Sequence, residues 1–474
     1  MDSIYLGWGP RPLQRAAQAL VECMGEDSGR WSYVLPGRRA VRQFEAALAR
    51  VLPAHLEPPR GIPQGAWLGV FRPTDRVAIP MRESIHAWTH VLRGLSAGEL
   101  RLALGVEPPR PDAAGAWWVL GQRARDLHAE VCQADMDFAI LAGKLPAQAA
   151  RWRLWAELQA RYRGDLERQG LGDGLADCRT APVRSEGLLA FIGVPTAGAL
   201  ERRTLEELGE RFLPLVIAPE KGEAFDDLGL LQPEAWTDAL VPLPMERWMV
   251  EEDPAGQARR VCHVLHDWSQ AGELAAKDVV LAAPDEEVRP FLERHLERVG
   301  LKARDAAGFP LDQCAPALLI HALARMVPDL RFADVASVLR HVDMEAALLR
   351  EGGDGADGIA GLDAYHVDHL PRHFREELIR GRGRSLAAHG VWQAALRGLG
   401  DLLDPAPRPL ASWVAPLRNF LQWVYGEHEF SESHPVGRVT AACLRALGSA
   451  LDDWESGSGP WLPQATASGA LTLL

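Results

Sequence analysis

The segment "GLLAFIGVPTAGALERRTLEELGERFLPLVIAP" (187–219) constrains the fold more than any other. Two continuous apolar runs of strand length flank a helical pattern. A strand that is apolar at every position is buried on both faces, the condition of a parallel sheet covered by helices. The same grammar opens the chain. "IYLGWGPRPLQ" (4–14) is a short apolar run, a glycine- and proline-marked turn and the start of a helix; "WSYVLPG" (31–37) is a second strand and turn. The helix after it carries Val41, Phe44, Leu48 and Leu52 at helical spacing.

Between these strand patterns lies a block that reads as helix throughout. "ESIHAWTHVLRGL", "AAGAWWVLGQRARDLHAEVCQ" and "AAQAARWRLWAELQARYRGDLERQGL" place apolar residues three and four apart. The expectation is one α/β domain from 1–80 plus 185–245, interrupted by a helical insertion over 81–184. A second α/β domain is expected over 246–328. Asp253 and Pro254 supply an N-cap and a first-turn proline, and "DVVLAAP" follows as a strand. Residues 329–474 read as helical, broken by "GGDGADG" and "DPAPRP". The last residues start a new helix without a polar cap, so the polypeptide is expected to continue.

Composition excludes several classes. No run reaches the roughly 20 apolar residues of a membrane span, and the N-terminus has no signal-peptide pattern. The six cysteines form no CxxC pair, which argues against a zinc site or a disulfide framework and suits a reducing cytoplasm. The formal net charge of −13 counts against simple DNA binding, although local patches matter more than the sum.

Strand, glycine turn and helix is the layout of a phosphate-binding loop, so the turn holding Gly7, Gly9 and Arg11 is the candidate nucleotide site. A working loop needs G-x-x-x-x-G-K-[ST], its Lys meeting the β/γ phosphates and its hydroxyl ligating magnesium. Here there is no Lys, and no Ser or Thr opens the helix. Pro10 and Pro12 also remove backbone donors. The loop reads as an ordinary turn or the degenerate form of such a site, with no nucleotide cofactor and no metal expected.

Other constellations are weaker. His366, His369 and His373 fall at helical spacing, but Pro371 interrupts them and no fourth ligand is evident. Cys262, His263 and His266 read the same way. Asp354 and Asp357 lack the regular oxygen spacing of a calcium loop. Among the sixteen tryptophans, any could stack on single-stranded bases, but Trp152 and Trp155 sit at core positions of a helix. Two arginine groups suit phosphate contacts through their planar forks. Arg38, Arg39 and Arg42 follow the turn of the second strand, and Arg372, Arg375, Arg380, Arg382 and Arg384 cluster further on. There is no serine elbow, no HExxH, no GxGxxG after a strand and no nuclease core of the Asp…(Asp/Glu)-x-Lys type.

The order of parts resembles AddB/RecC-like subunits of bacterial helicase–nuclease complexes. "YVLPGRRAVRQFEAALAR" resembles that family's strand, turn and helix at the second helicase motif. "RWRLWAELQARYRGDLERQGLGD" resembles its helical inserted domain. "LLAFIGVPTAGALERRTLEEL" resembles the strand that carries magnesium-binding acids in active helicases, although here that strand ends in Gly193. "DPAGQARRVCHVL", the stretch from "DVVLAAP" to "LARMV", and "LDAYHVDHLPRHF" are similar to its second half.

The resemblance implies two degenerate RecA-like, superfamily I helicase-like domains with large helical insertions. It also implies a C-terminal PD-(D/E)XK nuclease domain that these residues do not include. No catalytic residue is therefore carried over. The implied role is a DNA-binding scaffold in double-strand break repair and recombination, with DNA ends or single strands and an AddA-like helicase–nuclease subunit as partners, in the cytoplasm and away from membranes. Two other readings compete: a nucleotide-independent α/β protein–protein adaptor, and an active ATPase with an aberrant loop.

Overall fold

The computed structural model describes residues 2–474 except 10, 219–223, 238–244, 273–278, 304, 307, 309, 352–354, 375–384, 429, 431–433 and 458–460. The chain divides into two compact units, Met1–Asp238 with Ala315–Leu474, and Ala239–Cys314. Among the described residues no helix is long and apolar enough to cross a membrane.

The first unit is built on a five-stranded sheet. Its strands are β1 (Ile4–Tyr5), β2 (Trp31–Leu35), β3 (Arg60–Pro63), β6 (Leu188–Ile192) and β7 (Phe212–Val216), in the order β1-β7-β6-β2-β3. Every pairing is parallel. Strands from both sides of the helical block thus share one sheet, with Ile4 opposite Leu215 and Val34 opposite Phe191. Side chains alternate across a strand, so each face takes its own set. Trp31, Tyr33 and Leu35 meet the helices Pro12–Met24 and Arg38–Leu48 through Ala17, Leu20, Val41, Phe44 and Leu48. Val34, Leu189 and Phe191 face Trp67, Phe71, Leu205 and Leu208 on the other side. Both faces are covered, which is why β6 and β7 are apolar at every position and β2 has only Ser32 as a polar residue.

Pro214 lies in an interior strand, where a missing N–H is normally costly. Val216, two residues on, accepts from Leu6 on the β1 side, so Pro214 faces that side too. Pairing with β1 begins only at Leu215, so the ladder there needs no donor from Pro214.

The helical block carries Met81–Arg93, Ala97–Leu104, Ala114–Gln133, Phe138–Lys144, Ala149–Arg168 and Gly174–Thr180. Its entry and exit are joined by the two-residue strands β4 (Val77–Ala78) and β5 (Leu171–Gly172), paired in parallel. Trp88, Trp155, Tyr162 and Phe138 form its centre. Residues 315–474 are mostly helical, with one short antiparallel pair, β8 (Arg408–Pro409) and β9 (Gln464–Ala465). The "GGDGADG" stretch differs from the expected loop, because the helix Gly355–His369 already begins inside it.

The second unit holds the helices Pro254–Gln270 and Arg289–Arg298. Asp253 caps the first as anticipated, accepting from the Gly256 N–H. Among its described residues no strand forms. The run "DVVLAAP" leaves Val280 84% exposed, because a parallel strand exists only beside a neighbour and none lies there among the described residues. This unit ends at Cys314, and helix Ala315–Met326 belongs to the first unit, earlier than the expected boundary at 328.

Candidate functional site

In an open parallel sheet the carboxyl ends of the strands present the turns that can hold a ligand. Here β1 leads to Gly7, Gly9 and Arg11, β2 leads to Arg38, Arg39 and Arg42, and β6 ends at Gly193. The sheet therefore brings the turn of Gly7, Gly9 and Arg11, the trio Arg38, Arg39 and Arg42, and Gly193 to one end.

The loop after β1 is oriented away from phosphate binding. Gly7 has φ 74° and Arg11 has φ 58°, a left-handed conformation that a β-carbon disfavours. The Leu6 and Gly7 N–H groups donate to Val216 and Ala218 carbonyls. The Arg15 guanidinium, one turn into the helix, donates to the Gly9 carbonyl at 3.0 Å and the Gly7 carbonyl at 3.2 Å. A phosphate cradle turns its N–H groups inward; this turn presents carbonyl oxygens to a guanidinium of its own chain. A β-carbon on Gly9 would lie 2.4 Å from Arg15 Nη1. Arg11 itself is exposed and, among the described residues, has no ion-pair partner.

The end of β6 is restricted as well. Gly193 has φ 57°, and a β-carbon there would stand 2.8 Å from Ile217 Cδ1. Its N–H donates to the Leu215 carbonyl. Between the two turns lies a cavity of about 230 Å³ lined by Trp8, Phe191, Val194, Ile217, Phe225 and Trp236 among others.

Arg38, Arg39 and Arg42 are exposed on the first turns of helix Arg38–Leu48. That helix has no side-chain cap and no acidic residue in its first turn. Among the described residues none of the three arginines makes an ion pair or a side-chain hydrogen bond, whereas Arg72, Arg179, Arg203 and Arg418 are each paired with a carboxylate. Guanidinium groups, an open helix end and its dipole all favour an anion there.

The other candidates separate. His366 stacks on Phe332 at 4.7 Å and His369 lies 5.2 Å from the Tyr365 ring. The helix stops at His369, Leu370 turns with φ 42°, and His373 instead bridges Arg331. Cys262, His263 and His266 lie on helix Pro254–Gln270. Among the described residues no three metal-binding side chains converge. Trp152 stacks parallel to Phe138, and Trp155 is fully buried with its N–H on the Ala103 carbonyl; both serve the core. Arg372 is exposed, while Asp354, Arg375, Arg380, Arg382 and Arg384 lie outside the described residues.

Three features escaped sequence reasoning. Arg15 reads as an ordinary helical surface residue. Trp8, between two glycines where neither a strand nor a helix face can bury it, is 70% exposed; that placement was the available signal. The third is a buried cluster in the helical block. His128 Nε2 donates to Asp173 at 2.9 Å, and the Gln159 amide lies 3.3 Å from His128 Nδ1. Cys132 Sγ is 3.8 and 3.9 Å from the two ring nitrogens of His128. Cysteine, histidine and aspartate in contact suggest a nucleophile, but the geometry does not make one. The sulfur is as far from one nitrogen as from the other, and Cys132 is fully buried. Burial, then the Asp173 charge, push the thiol up to about 12, keeping it protonated.

No protein-family model matches the chain, and no curated protein matches it.

Proposed function

We propose that this chain is a DNA-binding scaffold with an inactivated helicase-like fold, serving the processing of double-strand break ends beside a helicase–nuclease partner. The observation that carries the reading is the trio Arg38, Arg39 and Arg42. These are three exposed guanidinium groups, unpaired among the described residues, around an uncapped helix N-terminus at the carboxyl end of an interior parallel strand. Phosphodiesters are the anions that several convergent arginines suit. The order of the sheet supports the helicase-like part. The loop strand β1 and the Gly193 strand β6 are separated by a single strand, so their turns flank one space, as the two halves of a nucleotide site must. Arg15 and Ile217 now occupy the approaches to that space, which supports a scaffold over a motor.

The second domain and the nuclease partner rest on the sequence resemblance alone. A protein–protein adaptor is the second reading, favoured by the exposed Met245, Trp248, Met249 and Val250 in the second unit. Anisotropy titrations with labelled single-stranded, forked and blunt duplex DNA at rising salt separate the two. The scaffold binds, and its affinity falls as salt rises. An adaptor shows no salt-dependent binding to any of the three.

A further inference from the structure

The cavity at the carboxyl ends of β1, β6 and β7 has flat aromatic walls and, among the described residues, no charged side chain in its lining. The N–H groups of its two tryptophans are already committed, Trp8 Nε1 to the Ile217 carbonyl at 3.1 Å and Trp236 Nε1 to the Ala224 carbonyl at 3.3 Å. Among the described residues, anything entering meets ring faces and aliphatic groups. A phosphate cannot be desolvated there without a partner, but a flat uncharged ring can.

Trp8 is the unusual member. Its indole is pinned by the bond to Ile217 yet remains 70% exposed. An anchored, exposed ring at the mouth of an aromatic cavity has lost little freedom left to lose on stacking. Three residues along, Arg11 is exposed and, among the described residues, unpaired. Beyond it, across β7 and β6, Arg38, Arg39 and Arg42 stand at the end of β2. Three strand spacings separate the two places, roughly 14 Å.

From this juxtaposition we infer that Trp8 and the cavity behind it take an unstacked nucleobase from a single strand whose phosphates run along the arginine-bearing end of the sheet. The ring faces suit a base, and the cations on either side suit the backbone that carries it. A single strand carries several phosphates to meet both Arg11 and the arginines of β2, whereas a free mononucleotide carries one. The inference rests on the DNA-binding reading above and adds to it a base contact, a residue and a strandedness.

The test uses the whole chain, labelled oligo(dT), the same oligonucleotide with abasic positions, and free thymidine monophosphate. Trp8→Ala weakens oligo(dT) binding about five- to hundred-fold, the usual worth of one stacked base. Trp8→Phe retains most of the affinity. Abasic oligonucleotide binds the wild type more weakly by a similar factor and binds Trp8→Ala no more weakly than oligo(dT) does. Thermal melts of the variants match the wild type, because an exposed ring contributes little to the core. Full affinity in Trp8→Ala, together with lost binding in the Arg38→Ala, Arg39→Ala, Arg42→Ala variant, overturns the base contact and leaves the DNA reading standing. Thymidine monophosphate binding as tightly as oligo(dT) overturns the strand. Absence of DNA binding by the wild type at low salt removes the DNA reading, and this inference falls with it.

Discussion

The Arg15 guanidinium reaches back from the first turn of its helix to the Gly9 carbonyl at 3.0 Å, inside the turn where a motor protein would hold phosphate. It also donates to Gly7 at 3.2 Å, so one side chain holds both glycines of the loop. Removing it leaves two carbonyls without their donor. Arg15→Ala is expected to lose about 1–2 kcal/mol in denaturant unfolding. Millimolar Mg-ATP should shift the thermal midpoint of neither protein. A midpoint that rises by several degrees with nucleotide would contradict the assignment of this loop as inactive.

Gly193 gives a second test of the closed site. Its φ of 57° and the approach of Ile217 both oppose a side chain. Gly193→Ala should cost about 1–3 kcal/mol, and Gly193→Asp at least as much. The aspartate variant should gain no magnesium-dependent stabilisation. Calorimetric unfolding with and without magnesium measures both effects, and a neutral Gly193→Ala would refute the strain.

Much of the sheet was legible because burial on both faces leaves a strong signal. "LLAFI" and "WSYVL" have almost no polar residue, and the pattern resumed after the helical block. The cores of the long helices were legible for the same reason, Trp152 and Trp155 among them. The strand expected at "DVVLAAP" does not form among the described residues of the second unit, since that run has strand composition but pairing depends on a neighbour that no local pattern reveals. Within the site, the three exposed arginines of β2's turn could be placed from strand and turn alone. Arg15 could not, because its role depends on how the backbone of Gly7 and Gly9 turns its carbonyls. Asp173 was equally silent, its partners lying 45 residues back at His128 and on the helix of Tyr162.

Asp173 is the hub of the helical block. It accepts from His128 Nε2 and from the Ala176 N–H at 2.9 Å, and the Tyr162 hydroxyl, which bonds Ser84, favours its charge from nearby. Tyr162 in turn stacks on Trp88 at 4.3 Å. Burial works against its charge, yet these donors hold its carboxyl below the usual range. Asp173→Ala strips the His128 and Ala176 donors of their acceptor and should cost about 2–3 kcal/mol. Asp173→Asn, which keeps an acceptor for Ala176, should cost less. Equal, small losses in both would show that the cluster adds nothing to stability.

His86 sets an acid limb. It is buried, its ring lies 4.9 Å from Trp118, and burial followed by the charge of Arg82 lowers it to about 4. The unfolded chain takes up a proton near 6.5 while the folded chain resists until about 4. Between those values the unfolded state binds more protons, so stability falls as pH falls, by on the order of 3 kcal/mol when complete. His341, also lowered by burial, adds in the same direction. His86→Phe should flatten much of the slope between pH 6.5 and pH 4 in urea unfolding. An unchanged slope would place the titration elsewhere.

The central claim is that Arg38, Arg39 and Arg42 hold DNA phosphates, and the salt slope of binding tests it most directly. Each contact to a single strand should contribute about 0.7 to the slope of log K against log salt, and each contact to a duplex about 0.9. Changing all three residues to Ala should flatten the slope by about 2 to 3 and weaken every sequence alike. The melting temperature should hardly move, because the three side chains are exposed and, among the described residues, unpaired. The account predicts a lower affinity with the flatter slope. Unchanged affinity together with an unchanged slope would contradict it.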